Sequence, residues 1–83
     1  MKFRAEIDIM PLKEILDPQG KAVKLGLVNL GLNQVEDVRI GKHISLELEA
    51  TDQEEAEGKV ETACKKLLAN LIMEGYTYKV TAL

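Results

Sequence analysis

Residues 2 to 10 alternate without a break: Phe3, Ala5, Ile7 and Ile9 fall on one side, Lys2, Arg4, Glu6 and Asp8 on the other. A period of two is what a strand with one buried and one wetted face requires. It commits the chain to a sheet whose apolar side must be covered. Pro11 has no amide to give to a ladder and predicts the strand's end. With 83 residues the chain has the length of one small domain, 1–83, and the covering layer has to come from the segments that follow.

The connection Leu12-Lys13-Glu14-Ile15-Leu16 has no readable pattern, but Asp17-Pro18-Gln19-Gly20 does. Asp at an N-cap accepts free amides of the first turn, and Pro at the next position has its φ preset and no amide to waste. A helix over 18–30 follows, with Gly31 as the left-handed residue after its last turn. Val23, Leu27 and Leu30 lie together as the expected core stripe, while Leu25 and Val28 fall nearly opposite. A helix apolar on two sides needs two neighbours, so Leu25 and Val28 are candidate subunit contacts.

Residues 35–40 and 44–50 read as two further strands around Gly41-Lys42-His43. A three-residue loop opposes Ile40 to Ile44 and Val38 to Leu46, keeping the apolar side chains on one face, so Gly41 or its neighbour is expected outside normal β geometry. Thr51 and Glu54 have capping-box spacing. In the helix they open, Ala56, Val60, Ala63, Leu67 and Leu71 form the predicted core stripe, with Cys64 at its edge and Asn70 or Gly75 as the stop. Tyr76, Tyr78 and Val80 then alternate with Thr77, Lys79 and Thr81 as a last strand. The order βαββαβ predicts a ferredoxin-like α+β domain, an antiparallel sheet with two helices on one face. Its other, polar sheet face must meet water or another subunit.

Chemistry is sparse. His43 is the only histidine and Cys64 the only cysteine; neither sits in a nucleophile motif, and no internal disulfide can form. The acids from Asp52 to Glu61 follow no calcium-loop spacing and suit the start of a helix instead. Eleven Lys and Arg against fourteen Asp and Glu give a net charge of −3, which disfavours nucleic acid as a partner. No apolar run is long enough to span a membrane, and the first residues lack a secretory h-region, so a cytoplasmic protein is expected. One exposed cluster stands out: Asp37, Arg39, Gly41 and Lys42 bring an acid, a guanidinium and an ammonium to one place, suited to docking a carboxylate or phosphate.

Three motifs in sequence are distinctive: Leu16-Asp17-Pro18-Gln19-Gly20 with Ala22-Val23, then Asp37-Val38-Arg39-Ile40-Gly41-Lys42, then Lys66-Leu67-Leu68-Ala69-Asn70 with Glu74 and Tyr76. Together they resemble the PurS family, small subunits of phosphoribosylformylglycinamidine (FGAM) synthase, over the whole chain. The resemblance implies a noncatalytic subunit. It would bring a glutaminase subunit and an ATP-dependent synthetase subunit together for ammonia transfer in purine biosynthesis, and would itself form a homodimer or higher homo-oligomer. It implies no cofactor bound by this chain, ATP, magnesium and glutamine being used by the complex as a whole. Asn70 joins the candidate interface on the same ground. Two positions depart from the family pattern. Leu71 replaces a proline, which predicts a longer second helix, and Gly75 replaces an acid.

From the residues alone two other functions stay open. One is a ligand-sensing domain that binds an amino acid or nucleotide between helices and sheet. The other is a small phosphate-ester or acyl-phosphate hydrolase, which ranks last because residues 12–20 contain neither Arg nor a Gly-rich anion loop.

Overall fold

The computed structural model describes residues 1–13 and 16–83, so Glu14 and Ile15 of the unassigned connection lie outside the described residues. The alternating N-terminal segment forms β1, Lys2–Pro11, the middle strand of three. On one side it pairs antiparallel with β2, Lys42–Glu49, and on the other with β3, Glu74–Ala82. The register sets Phe3 opposite Leu48 and Ala82, and Ile7 opposite Ile44 and Tyr78. Phe3, Ala5, Ile7 and Ile9 are fully buried, as the alternation requires. The last strand therefore pairs within its own chain, and Pro11 closes β1 opposite Glu74.

Over that face lies α2, Gln53–Ala63, continued by a π-helical turn at Cys64–Leu68. It places Ala56, Val60 and Cys64 against the sheet. Asp52, rather than Thr51, is the N-cap: its Oδ1 accepts from the Glu55 amide at 2.8 Å, while the Thr51 hydroxyl donates to the Glu55 carboxylate at 2.6 Å. The predicted stripe fails at its C-terminal end, where Leu67 is 81% exposed and Leu71 is also exposed. Buried positions run instead through residues 56, 60 and 64 to half-buried Leu68. Four residues overshoot an α turn of about 3.6 residues and fall short of the wider π turn, so the π turn returns residue 68 to the face the drift was leaving. Cys64 is thus central to the core, not at its edge.

The second helix does not run on past the missing proline. Ala69 is extended at φ −116° and ψ 140°, and its amide closes the π turn on the Cys64 carbonyl at 3.0 Å. Asn70 then stops the chain: its Oδ1 accepts from the Ile72 amide at 3.2 Å, and its carbonyl accepts from Met73 and Glu74 at 2.9 and 2.7 Å. A capped turn supplies the stop that Leu71 lacks.

The first helix, α1, Pro18–Asn29, begins and ends as read. Asp17 Oδ1 accepts from the Gly20 amide at 3.0 Å, and Gly31 takes φ 89°. Its packing differs, because Gly20 is its only buried residue. Val23 is 42% exposed and Leu30 76%, so among the described residues the expected stripe meets no sheet, and α2 with its π turn and Ala69 covers the apolar face. Leu25 and Val28 are exposed as well.

Residues 35–40 form no strand, which removes the expected hairpin and its pairing of Ile40 with Ile44 and Val38 with Leu46. Among the described residues β2 pairs only with β1, and the Ile40 amide is taken by Asp17 Oδ2 at 2.9 Å in place of a strand carbonyl. Gly41 accordingly has no unusual φ. Its lack of a side chain serves a close approach: a Cβ there would lie 2.2 Å from the Met10 sulfur and 2.4 Å from the Ile9 carbonyl oxygen.

Candidate functional site

Asp17 ties the first two distinctive segments together. Its two carboxylate oxygens accept from the Gly20 and Ile40 amides, and these bonds hold its carboxyl below the usual carboxylate range. The start of α1 is thereby fixed to residues 38–40. Gly20 makes the approach possible, since a Cβ on it would stand 2.2 Å from the Val38 carbonyl oxygen. The third segment joins through Glu74, which accepts from the Asn70 amide at 2.8 Å and pairs with Lys42 Nζ at 3.7 Å.

Two clefts flank this junction and share Leu16 and Asp17. One, of about 510 Å³, runs between Pro18 and Gln19 on one side and Ile40, Asn70 and Glu74 on the other. The other, of about 600 Å³, has Lys13, Lys21, Asp37 and Arg39 around it. The structure thus brings Asp37, Arg39, Gly41, Lys42 and Asn70 to one end of the molecule beside Asp17, Pro18 and Gly20. Leu25 and Val28 instead lie farther along α1, and Gly31 beyond its end. Lys42 is engaged by Glu74, and no ion pair joins Asp37 to Arg39 among the described residues. Lys13 and Lys21 were not legible as site residues, because nothing in their spacing marks the side of the chain to which the Asp17 turn brings them.

A second cluster sits on the open sheet face. Register sets His43 opposite Asp8 and Ser45 opposite Glu6. The His43 ring bonds Asp8 through Nδ1 at 2.6 Å and Glu6 through Nε2 at 2.5 Å, and the Ser45 hydroxyl donates to Glu6 at 2.8 Å. The two carboxylates raise the His43 pKa, Asp8 most, and the His43 and Ser45 bonds lower that of Glu6. A ring with both nitrogens occupied is not poised as a general base. A third cluster links α2 to β3: the Tyr76 hydroxyl donates to Glu61 at 2.5 Å, the Tyr76 and Tyr78 rings stack with centroids 6.3 Å apart, and Glu61 pushes both phenols up to about 12. Burial raises the Cys64 thiol, the reverse of what a nucleophilic cysteine needs. Among the described residues no group of His, Cys, Asp or Glu is placed to hold a metal ion, and no helix is long and apolar enough to cross a membrane.

Comparison with known proteins agrees with the three-segment reading. The profile of the PurS family, described as phosphoribosylformylglycinamidine (FGAM) synthase, matches residues 4–82. The chain is 49% identical over 81 residues to the Synechocystis sp. phosphoribosylformylglycinamidine synthase subunit PurS, covering 98% of this chain and 81% of that one. It is 38% identical over 78 residues to the Bacillus subtilis subunit, covering 94% and 92%. Thermus thermophilus PurS superposes with a TM-score of 0.88 at 39% identity, over 100% of this chain and 99% of that chain. A chain of PurLQS from Thermotoga maritima does so with a TM-score of 0.88 at 32% identity, over 96% and 98%.

Proposed function

Because this chain belongs to the PurS family of FGAM synthase subunits, we propose that it is the noncatalytic coupling subunit of that synthase. It brings a glutaminase subunit and an ATP-dependent synthetase subunit together so that ammonia passes between them. The observation that carries this reading is the convergence of residues 16–20, 37–42 and 70–74 on one exposed end of the molecule, a surface rather than a catalytic constellation. Support also comes from the Thermotoga maritima relative, which has been solved as PurLQS. His43 with both nitrogens occupied and Cys64 shut in the core offer no free nucleophile or base. ATP, magnesium and glutamine are then handled by the partner subunits, in the cytoplasm where purine precursors are made. A second copy of the chain covers the exposed apolar side of α1.

The test is reconstitution with both partner subunits. Glutamine-dependent synthesis should require this chain, whereas synthesis from free ammonia, which bypasses the transfer, should depend on it less. Full glutamine-dependent rate from the two partners alone would overturn the coupling role.

A further inference from the structure

The cleft of about 600 Å³ between the start of α1 and residues 37–39 is lined by three cationic side chains. Among the described residues, Lys13, Lys21 and Arg39 stand around it with two carboxylates, Asp17 and Asp37. Asp17 accepts one backbone amide on each oxygen and stays a carboxylate, and the nearby Arg39 charge helps to hold it so. None of the three cations forms an ion pair among the described residues. Four of the chain's other eight Lys and Arg do: Arg4 pairs with Glu47, Lys42 with Glu74, Lys59 with Glu55 and Lys65 with Glu61. In a chain of net charge −3, a local excess of cations is against the trend.

Arg39 adds a more specific sign. Its Nη2 is shut off from solvent and hydrogen bonds to no described atom. A guanidinium held partly out of water with donors idle is costly unless an anion offsets it. The side formed by the start of α1 and residues 38–40 is braced within the chain, because Gly20 lets the Val38 carbonyl close on α1 and Asp17 bonds the Ile40 amide. The space lies within the range of small-molecule sites, roughly 300–1,000 Å³, and is larger than a bare oxyanion needs. A planar guanidinium fork together with two ammonium groups in one cleft suits a dianion with three oxygens better than a lone carboxylate.

We propose that this cleft is a binding site for the phosphoryl group of a small phosphate monoester, with Arg39 as its principal ligand and Lys21 and Lys13 flanking it. This goes beyond the coupling role and holds for the isolated chain, so either reading can fail without the other.

The experiment is titration of the isotopically labelled full chain at low ionic strength with ribose 5-phosphate, inorganic phosphate and uncharged ribose. It is followed by the backbone amide signals of Gly20, Lys21, Val38 and Arg39. Ribose 5-phosphate should give saturable shifts, and ribose none. Arg39→Gln should weaken binding by about tenfold or more, Arg39→Lys by less, and Lys21→Gln, at an exposed position that the fold does not need, by a few-fold. Lys79→Ala, on the open sheet face, should leave it unchanged. Tighter binding of the ester than of inorganic phosphate assigns the source to an ester, and parity assigns it to the free ion and overturns the ester. Shifts that never saturate, or that survive both Arg39→Gln and Lys21→Gln in variants that melt like the wild type, overturn the site altogether.

Discussion

His43 shows how one side chain gathers groups from two strands. Neither the pairing of β1 with β2 nor its register is written near residue 43, yet together they put the ring between Asp8 and Glu6. Its pKa is raised above the ordinary 6.5, so the folded state holds the proton more tightly than the unfolded chain does. The resulting stabilisation is fully present below pH 6.5 and is lost as pH rises through the folded value. Glu6 has the opposite sign: its pKa is lowered from 4.5, and its contribution is present above 4.5 and lost as pH falls through the folded value. The cluster therefore stabilises most between those limits. Between pH 6 and pH 8.5 the wild type should lose a few degrees of Tm more than His43→Gln does. Parallel melting profiles for the two proteins would show that the cluster contributes nothing.

Helix α1 tests the difference between a glycine that is needed and one that is not. Gly20→Ala would push a Cβ to 2.2 Å from the Val38 carbonyl oxygen and 2.7 Å from Asp17 Oδ2; the first is backbone, and the second is held by the bonds to the Gly20 and Ile40 amides. The expected cost is about 1–3 kcal/mol. Gly26→Ala has nothing within 4 Å of the new methyl and lies within the helix, so it should stabilise by about 0.5–1 kcal/mol. Urea melts of the two variants check this, and equal effects would mean that Gly20 is not a contact point. At this scale much was legible in sequence. Alternation set β1, and Asp17 and Gly31 marked the ends of α1, because caps and strand faces are local. The segment 35–40 misled for a physical reason: an extended chain whose amide goes to a carboxylate alternates like one in a ladder, and only the Asp17 to Ile40 bond distinguishes them. Leu67 misled because a π turn is invisible to a stripe counted at α-helical spacing. Of the candidate site, the residues were named but not their meeting, which needed the long-range bonds of Asp17 and Glu74.

The whole molecule is too extended for its length. Its radius of gyration is 16.4 Å and its extents are 51 × 26 × 14 Å, whereas a compact domain of this many residues has a radius near 12 Å. Its accessible surface, 5977 Å², exceeds the roughly 4,900 Å² typical of a monomer of this mass. The excess of about 1,000 Å² is close to one partner's share of a standard interface, about 800 Å². Helix α1 accounts for the shape, because it leaves the sheet with Leu25 at 64% and Val28 at 40% exposure and no described element to cover them. A second copy of the chain meets the need most directly, since it offers the same unpaired apolar side and the same uncovered sheet face. Leu25→Asp and Val28→Asp should each lower the sedimentation coefficient toward that of a single chain while circular dichroism stays unchanged, because neither side chain supports the fold of its own chain. The helix itself tolerates both changes at exposed positions, so loss of association would not reflect unfolding. Wild-type association in both variants would place the contact on the sheet face that His43, Glu6 and Asp8 occupy, and His43→Gln would then be the substitution that weakens it.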